Sequence, residues 1–215
     1  MKIRVYPRLF FYPMIKGNLF IISSPSGGGK GTLIQRVLEF VPNIGYSVSF
    51  TTRAPRADEM DGKHYNFVSP AEFENLIASG EFLEHALVHG NYYGTSRRQV
   101  ERETAEGTDI ILEIDVQGAE LVKKAAPEAV SVFILPPSFE VLKNRLESRA
   151  TEGEDALQLR LRNSRGEVER YTEFDYVIIN DEVEQAVKEL EAVILAERAR
   201  RERQEENIRE VLKTF

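Results

Sequence analysis

The chain has 215 residues, 42% of them hydrophobic and 29% charged, a balance that excludes a largely disordered polymer and is long enough to bury a core unaided. The absence of cysteine excludes disulfides, thiolate catalysis and Cys-ligated zinc or iron–sulfur centres, and fits a reducing compartment. Lys and Arg number 28 against 35 Asp and Glu, and the resulting charge of −7 argues against sequence-independent binding of nucleic acid, though a local cationic cluster can still hold a phosphate.

The N-terminal stretch carries Lys2, Arg4 and Arg8 ahead of Leu9, Phe10 and Phe11. Pro13 and Lys16 then interrupt the apolar run, and no small-residue cleavage site follows, so it does not read as a secretory signal. No apolar run is long enough to cross a bilayer, and the expectation is a cytoplasmic protein without a membrane partner. Residues 1–16 are set apart as an N-terminal extension of open order, because Met14 stands just before the first convincing strand.

Residues 18–24 (NLFIISS) read as a buried strand, broken by Gly27, Gly28 and Gly29. Residues 30–40 follow with Leu33, Ile34, Val37 and Leu38 at helical spacing. Residues 46–95 depart from that rhythm, being rich in Thr, Tyr, Phe and turn formers, and predict a small mixed insertion with one clear helix. Ser69 caps this helix, Pro70 suits its first position, Glu72 completes a capping box and Gly80 ends it. Further buried strands are expected at 109–115, 130–135 and 175–180, with helices at 117–126 and 139–150. Residues 149–166 are polar and dense in Arg and Glu, and read as a flap or an exposed helix pair. Residues 182–215 read as one long charged amphipathic helix packed on one side. Buried strands alternating with helices imply βαβ units around a parallel sheet, and so an α/β fold.

Residues 23–32 (SSPSGGGKGT) lie between a strand and a helix, the context that a phosphate-binding loop requires. Its glycines let backbone N–H groups turn onto phosphate oxygens, the helix N-terminus adds positive potential, and Lys30 supplies a point charge. The match to G-x-x-x-x-G-K-[ST] departs at two places: Ser24 replaces the first Gly, and Gly31 replaces the hydroxyl residue, with Thr32 one position late. Downstream, SFTTRAPR places Arg53 and Arg56 three residues apart, and Tyr65 and Tyr93 follow in DGKHYNFVS and EFLEHALVHGNYYGTS. Two guanidinium groups and two phenol hydroxyls suit a second phosphate. Taken singly, each would be read as a solvated Arg or a half-buried Tyr.

With these segments in order, and with ILEIDVQGA, FILPPS and VIIND after them, the sequence resembles the guanylate kinases from about residue 17 to about residue 197. That resemblance implies a P-loop three-layer α/β fold with a parallel core sheet, an inserted mixed α+β GMP-binding region at about 46–98 and a helical lid at about 149–166, in a single domain spanning 17–215. It implies transfer of the γ-phosphoryl group of ATP to GMP. It further implies that Ser26, Gly27, Gly28, Gly29, Lys30, Gly31 and Thr32 cradle ATP, with Asn180 near the adenine. Arg53, Arg56, Tyr65 and Tyr93 match holders of the GMP phosphate, and Ser49, Glu84, Thr95 and Asp115 match positions around guanine. Lys30, Arg145, Arg149 and Arg160 match the cations gathered around the transferring group. Mg²⁺ would enter with ATP, held by phosphates and water rather than by a protein cage, and the three His are expected to be structural. Glu113 stands where the family often has Asp, which leaves its contact to metal-bound water open. A carboxylate at Glu84 suits the paired N1–H and N2–H₂ donors of guanine, and a hydroxyl at Ser49 suits O6.

Two other readings compete. A guanylate-kinase-like domain can be a non-catalytic phosphopeptide-binding module, but Lys30 and the loop glycines, which such a module loses, are present. A kinase for another small phosphorylated acceptor is opposed by Glu84 with Ser49. A homodimer is compatible with the sequence but not specified by it.

Overall fold

The computed structural model describes residues 15–56, 59–88, 90–148 and 154–215. The N-terminal extension up to residue 14, His89 and Arg149 lie outside the described residues. In chain order the elements are β1 (Leu19–Ser23), α1 (Lys30–Phe40), β2 (Ile44–Tyr46), β3 (Phe50–Thr51), β4 (Asn66–Phe67), α2 (Pro70–Ala78), β5 (Phe82–Val88), β6 (Asn91–Ser96), α3 (Arg97–Ala105), β7 (Asp109–Glu113), α4 (Val116–Ala125), β8 (Val130–Leu135), α5 (Phe139–Ser148), α6 (Glu154–Glu169), β9 (Tyr176–Ile179), α7 (Val183–Arg198) and α8 (Arg201–Leu212).

The core sheet has the order β2-β7-β1-β8-β9, and every pairing in it is parallel. Its central strand β1 is buried along its whole length because helices cover both faces. Phe20 and Ile22 pack with Leu33, Ile34 and Val37 of α1 and with Leu190 and Ile194 of α7. Leu19 and Ile21 pack on the other face with Val100 of α3 and with Ala119 and Val122 of α4. A three-layer α/β fold results. It is closed at one end by Arg198, which donates through Nε to Asp109 at 2.7 Å and through its terminal nitrogen to the carbonyl oxygens of Pro42 and Asn43.

Residues 50–96 build a second sheet of order β4-β3-β6-β5, with β3 parallel to β4 and antiparallel to β6, and β5 antiparallel to β6. Its own core is aromatic. Phe73 of α2 stacks on Phe82 at 4.5 Å and on Tyr92 at 5.2 Å between ring centroids. Gly94 lies under this cluster, where a Cβ would come within 2.9 Å of the Phe82 ring. The capping box at Ser69 and Glu72 forms as the sequence requires.

Three boundaries differ from the sequence reading. The strand at 109–115 stops at Glu113, because Asp115 turns to cap α4 and accepts Gly118 N–H at 2.7 Å. Where a flap or an exposed helix pair was expected at 149–166, residues 154–166 lie in one helix, α6, which runs on to Glu169. The C-terminal helix is two, α7 and α8, broken at Ala199 and Arg200. No Gly or Pro marks that break. One tertiary tie and two local ones meet there: Arg198 is drawn to Asp109, while Arg200 pairs with Glu197 three residues back and Gln204 closes the Arg198 carbonyl at 2.8 Å.

Candidate active site

β1 delivers the chain into a tight loop at the carboxyl edge of the parallel sheet, where α/β folds place their ligands. Gly28 N–H donates to Pro25 O at 2.9 Å, and Gly29 sits at φ 90° as the N-cap of α1. Only glycine takes that conformation without strain. A Cβ on Gly29 would also come within 2.5 Å of the Asn180 amide nitrogen. Asn180 and Arg145 brace this loop from behind: both donate to Gly28 O, at 2.9 and 3.4 Å, and Arg145 also donates to Asn180 O at 3.0 Å. Ser26 is gripped by α6, with Arg160 donating to its hydroxyl through Nε and a terminal nitrogen at 3.2 and 3.1 Å.

Beyond the loop a cavity of about 660 Å³ lies between the two sheets. Lys30, Ser49, Tyr65, Glu84, Tyr93 and Asp115 line it, together with Gly31 and Glu113. One cavity therefore gathers residues that are up to 85 positions apart in the chain. Lys30 Nζ stands 3.6 Å from Glu113 Oε1, and Tyr46 donates to Glu113 at 3.4 Å. Burial and the neighbouring Glu113 charge raise the Tyr46 phenol well above its ordinary range.

Glu84 is 8% exposed on β5 and accepts the Thr95 hydroxyl at 2.8 Å. Burial raises its carboxyl from 4.5 to about 7; the Thr95 hydrogen bond works in the opposite direction, and the Asp115 charge adds to the rise. Thr95 itself is fully buried behind Glu84.

Arg53 does not itself line the cavity but lies over the ring of Tyr65, which does, and over that of Phe67, at 5.5 and 5.9 Å. Its guanidinium is held by Glu59 at 2.8 Å, and the other oxygen of Glu59 accepts Arg56 N–H at 2.8 Å. The Arg53 bond leads the effects that hold the Glu59 carboxyl down at about 2. Arg56 and Thr32 are exposed, and neither lines the cavity. Glu59 and Glu167 were not singled out by sequence reasoning. The usable hints were an acid three residues beyond Arg56 and one two helical turns beyond Arg160. His64 accepts Met60 N–H at 2.9 Å and His85 lies beside the Phe82 ring. Among the described residues no group of three or more His, Asp or Glu is placed to cage a metal ion.

A parallel sheet whose central strand runs through a glycine-rich loop into a helix, beside a second sheet that walls off an acceptor cavity, defines a P-loop α/β kinase-like protein. The guanylate kinase family model matches residues 16–197. The chain belongs to the guanylate kinase family. It is 51% identical over 190 residues to a guanylate kinase of Methylobacillus flagellatus, covering 88% of this chain and 94% of that protein. It is 52% identical over 189 residues to one from Neisseria gonorrhoeae, covering 88% and 92%. The crystal structure of guanylate kinase from Anaplasma phagocytophilum superposes with a TM-score of 0.73 at 34% identity, over 88% of this chain and 90% of that one.

Proposed function

We propose that this protein transfers the γ-phosphoryl group of ATP to GMP, giving ADP and GDP. One observation carries the reading: Lys30, at the foot of the phosphate loop, and Glu84, buried on the second sheet, open onto the same cavity. A donor phosphate and a purine acceptor would thereby share one cavity.

Phosphoryl transfer needs little covalent chemistry from protein. It needs two phosphates in line and their charge neutralised. In this reading the Gly27 to Gly29 stretch of the loop and the Lys30 ammonium hold the ATP phosphates, Ser26 leads into that stretch, Gly31 and Thr32 follow at the start of α1, and Asn180 faces the adenine side. The guanine base enters between Glu84, which accepts from N1–H and N2–H₂, and Ser49, which donates to O6, with Thr95 orienting Glu84 and Asp115 beside it. Arg53, Arg56, Tyr65 and Tyr93 take the GMP phosphate. Glu59 keeps Arg53 poised over Tyr65 until that phosphate arrives, when a dianion outcompetes a single carboxylate. Arg145, Arg149 and Arg160 stabilise charge on the group in flight.

Mg²⁺ suits the oxygen donors here, since Glu113 presents a hard carboxylate near Lys30 without the ligand count of a protein cage. Glu113, through water, and the ATP phosphates would hold it, and it would supply neutralisation of phosphate charge. The chain from 17 to 215 works as one catalytic unit in this reading, with 46–98 as the acceptor-binding insertion and 149–166 as the lid. Among the described residues no helix is long and apolar enough to cross a membrane, and the reading places the enzyme in the cytoplasm. Incubation of the purified protein with ATP, Mg²⁺ and GMP tests it: stoichiometric ADP and GDP are expected, and no GDP would refute it.

A further inference from the structure

The three polar groups of Ser26 all meet the same helix. Its hydroxyl takes Arg160, its carbonyl receives the Ser164 hydroxyl at 3.4 Å, and its N–H donates to Glu167 Oε2 at 3.0 Å. Arg160, Ser164 and Glu167 stand at i, i+4 and i+7, so they form one stripe along α6. Ser164 is buried, and its hydroxyl also bonds Arg160 O at 2.8 Å, which ties the middle of the stripe to the helix itself. Leu157 and Leu161 fix the neighbouring face of α6 against Leu142 and Leu146 of α5 in a small core of their own. That apolar contact carries no directional bond, so the bonds to Ser26 add direction to it. The polar stripe ties α6 directly to the phosphate loop.

We infer that Glu167 is a positioning residue: by accepting Ser26 N–H it fixes the register of α6, and so delivers the Arg160 guanidinium to the phosphate loop. The inference rests on the phosphotransferase reading and goes beyond it, because Glu167 acts through Arg160 and not on a substrate. A carboxylate also has the right sign for the task, since a loop N–H aimed toward anions binds an anionic acceptor more strongly than a neutral one. Without it the lid has its apolar hinge and loses its endpoint.

The test is a cycle of Glu167→Ala, Glu167→Gln and Arg160→Ala, with wild-type turnover measured first. Glu167→Ala is expected to lower kcat about tenfold, the scale of one charge-assisted hydrogen bond, with KM for ATP and for GMP within about twofold. Glu167→Gln, whose amide oxygen accepts the same N–H, is expected to stay within about threefold of wild type. In the Arg160→Ala background, Glu167→Ala should cost less than about twofold, because the group it positions is gone. Equal losses in both backgrounds would overturn the inference. So would a lower KM for ATP in Glu167→Ala, which would make the carboxylate a competitor of phosphate for that N–H. Hydrogen exchange supplies a readout independent of activity: peptides containing Ser26 should exchange faster in Glu167→Ala than in Glu167→Gln. Unchanged exchange would overturn the inference, whereas a wild type that makes no GDP would instead overturn the kinase reading.

Discussion

Glu84 and Thr95 face each other across the β5–β6 ladder, and the Thr95 hydroxyl donates to the Glu84 carboxylate at 2.8 Å. The ladder slips by one residue between Phe82 and Glu84, and that slip sets Glu84 opposite Thr95 instead of Gly94. A buried carboxylate thus keeps one oxygen satisfied by protein and leaves acceptor capacity for a ligand. Glu84→Ala is expected to lower kcat/KM for GMP by about a hundredfold or more, since two charge-assisted hydrogen bonds are lost, with KM for ATP little changed. Ser49→Ala removes one neutral hydroxyl bond and should cost only about 0.5–1.5 kcal/mol. Kinetics in both substrates on the two variants checks the ranking.

The raised Glu84 carboxyl makes acceptor binding pH-dependent. Guanine donors need the ionised form, so the apparent affinity for GMP should rise as pH rises through about 7. The binding-competent fraction grows roughly tenfold between pH 6 and 8, and the dissociation constant should fall by the same factor. The GMP phosphate, with its second pKa near 6, adds only about twofold. In Glu84→Ala only that smaller dependence should remain, as titration calorimetry across the range would read. Stability of the ligand-free protein runs the other way. The folded value lies above the unfolded one, so the contribution of Glu84 is fully present below about 4.5 and is lost as pH rises through about 7.

Lys30→Ala should slow turnover strongly while sparing the fold. Lys30 and its partner Glu113 are both more than a quarter exposed at 3.6 Å, so their pairing is worth less than about 1 kcal/mol to stability. Loss of the loop cation should lower kcat about a hundredfold or more. Thermal melting and steady-state kinetics on the same preparation separate the two effects.

Phe73→Ala should damage the second sheet before the first. Phe73 is fully buried and stacks on both Phe82 and Tyr92, and its truncation should cost about 3–5 kcal/mol. Amides of β5 and β6 should lose protection from exchange more than those of β1, and KM for GMP should rise more than KM for ATP. Uniform loss across both sheets would show that the second sheet has no core of its own.

The parallel core was legible because β1, β7 and β8 are buried on both faces and read as short, mostly apolar runs. The helix α2 was legible because Ser69, Pro70 and Glu72 state its start chemically. Local pattern carried less where long-range contacts decide. No Gly or Pro announces the break before α8, where Asp109 draws Arg198 in from a distance. At the site, Lys30, Glu84 and Tyr93 could be chosen from residue type and order along the chain. Glu59 and Glu167 could not, because a surface-looking acid acquires its role only when folding places it against Arg53 or Ser26 N–H.

The central claim is that the cavity reads guanine through Glu84, and the ratio of kcat/KM for GMP to that for AMP tests it most directly. Adenine presents a bare N1 acceptor where guanine presents donors, so acceptor would face acceptor at the Glu84 carboxylate. A site built for hydrogen bonds rejects such a mismatch far better than an apolar pocket rejects a missing methylene. The wild type should therefore prefer GMP by about a thousandfold or more, and Glu84→Ala should erase most of that preference. Comparable turnover of AMP and GMP by the wild type, or an undiminished preference in Glu84→Ala, would contradict the account.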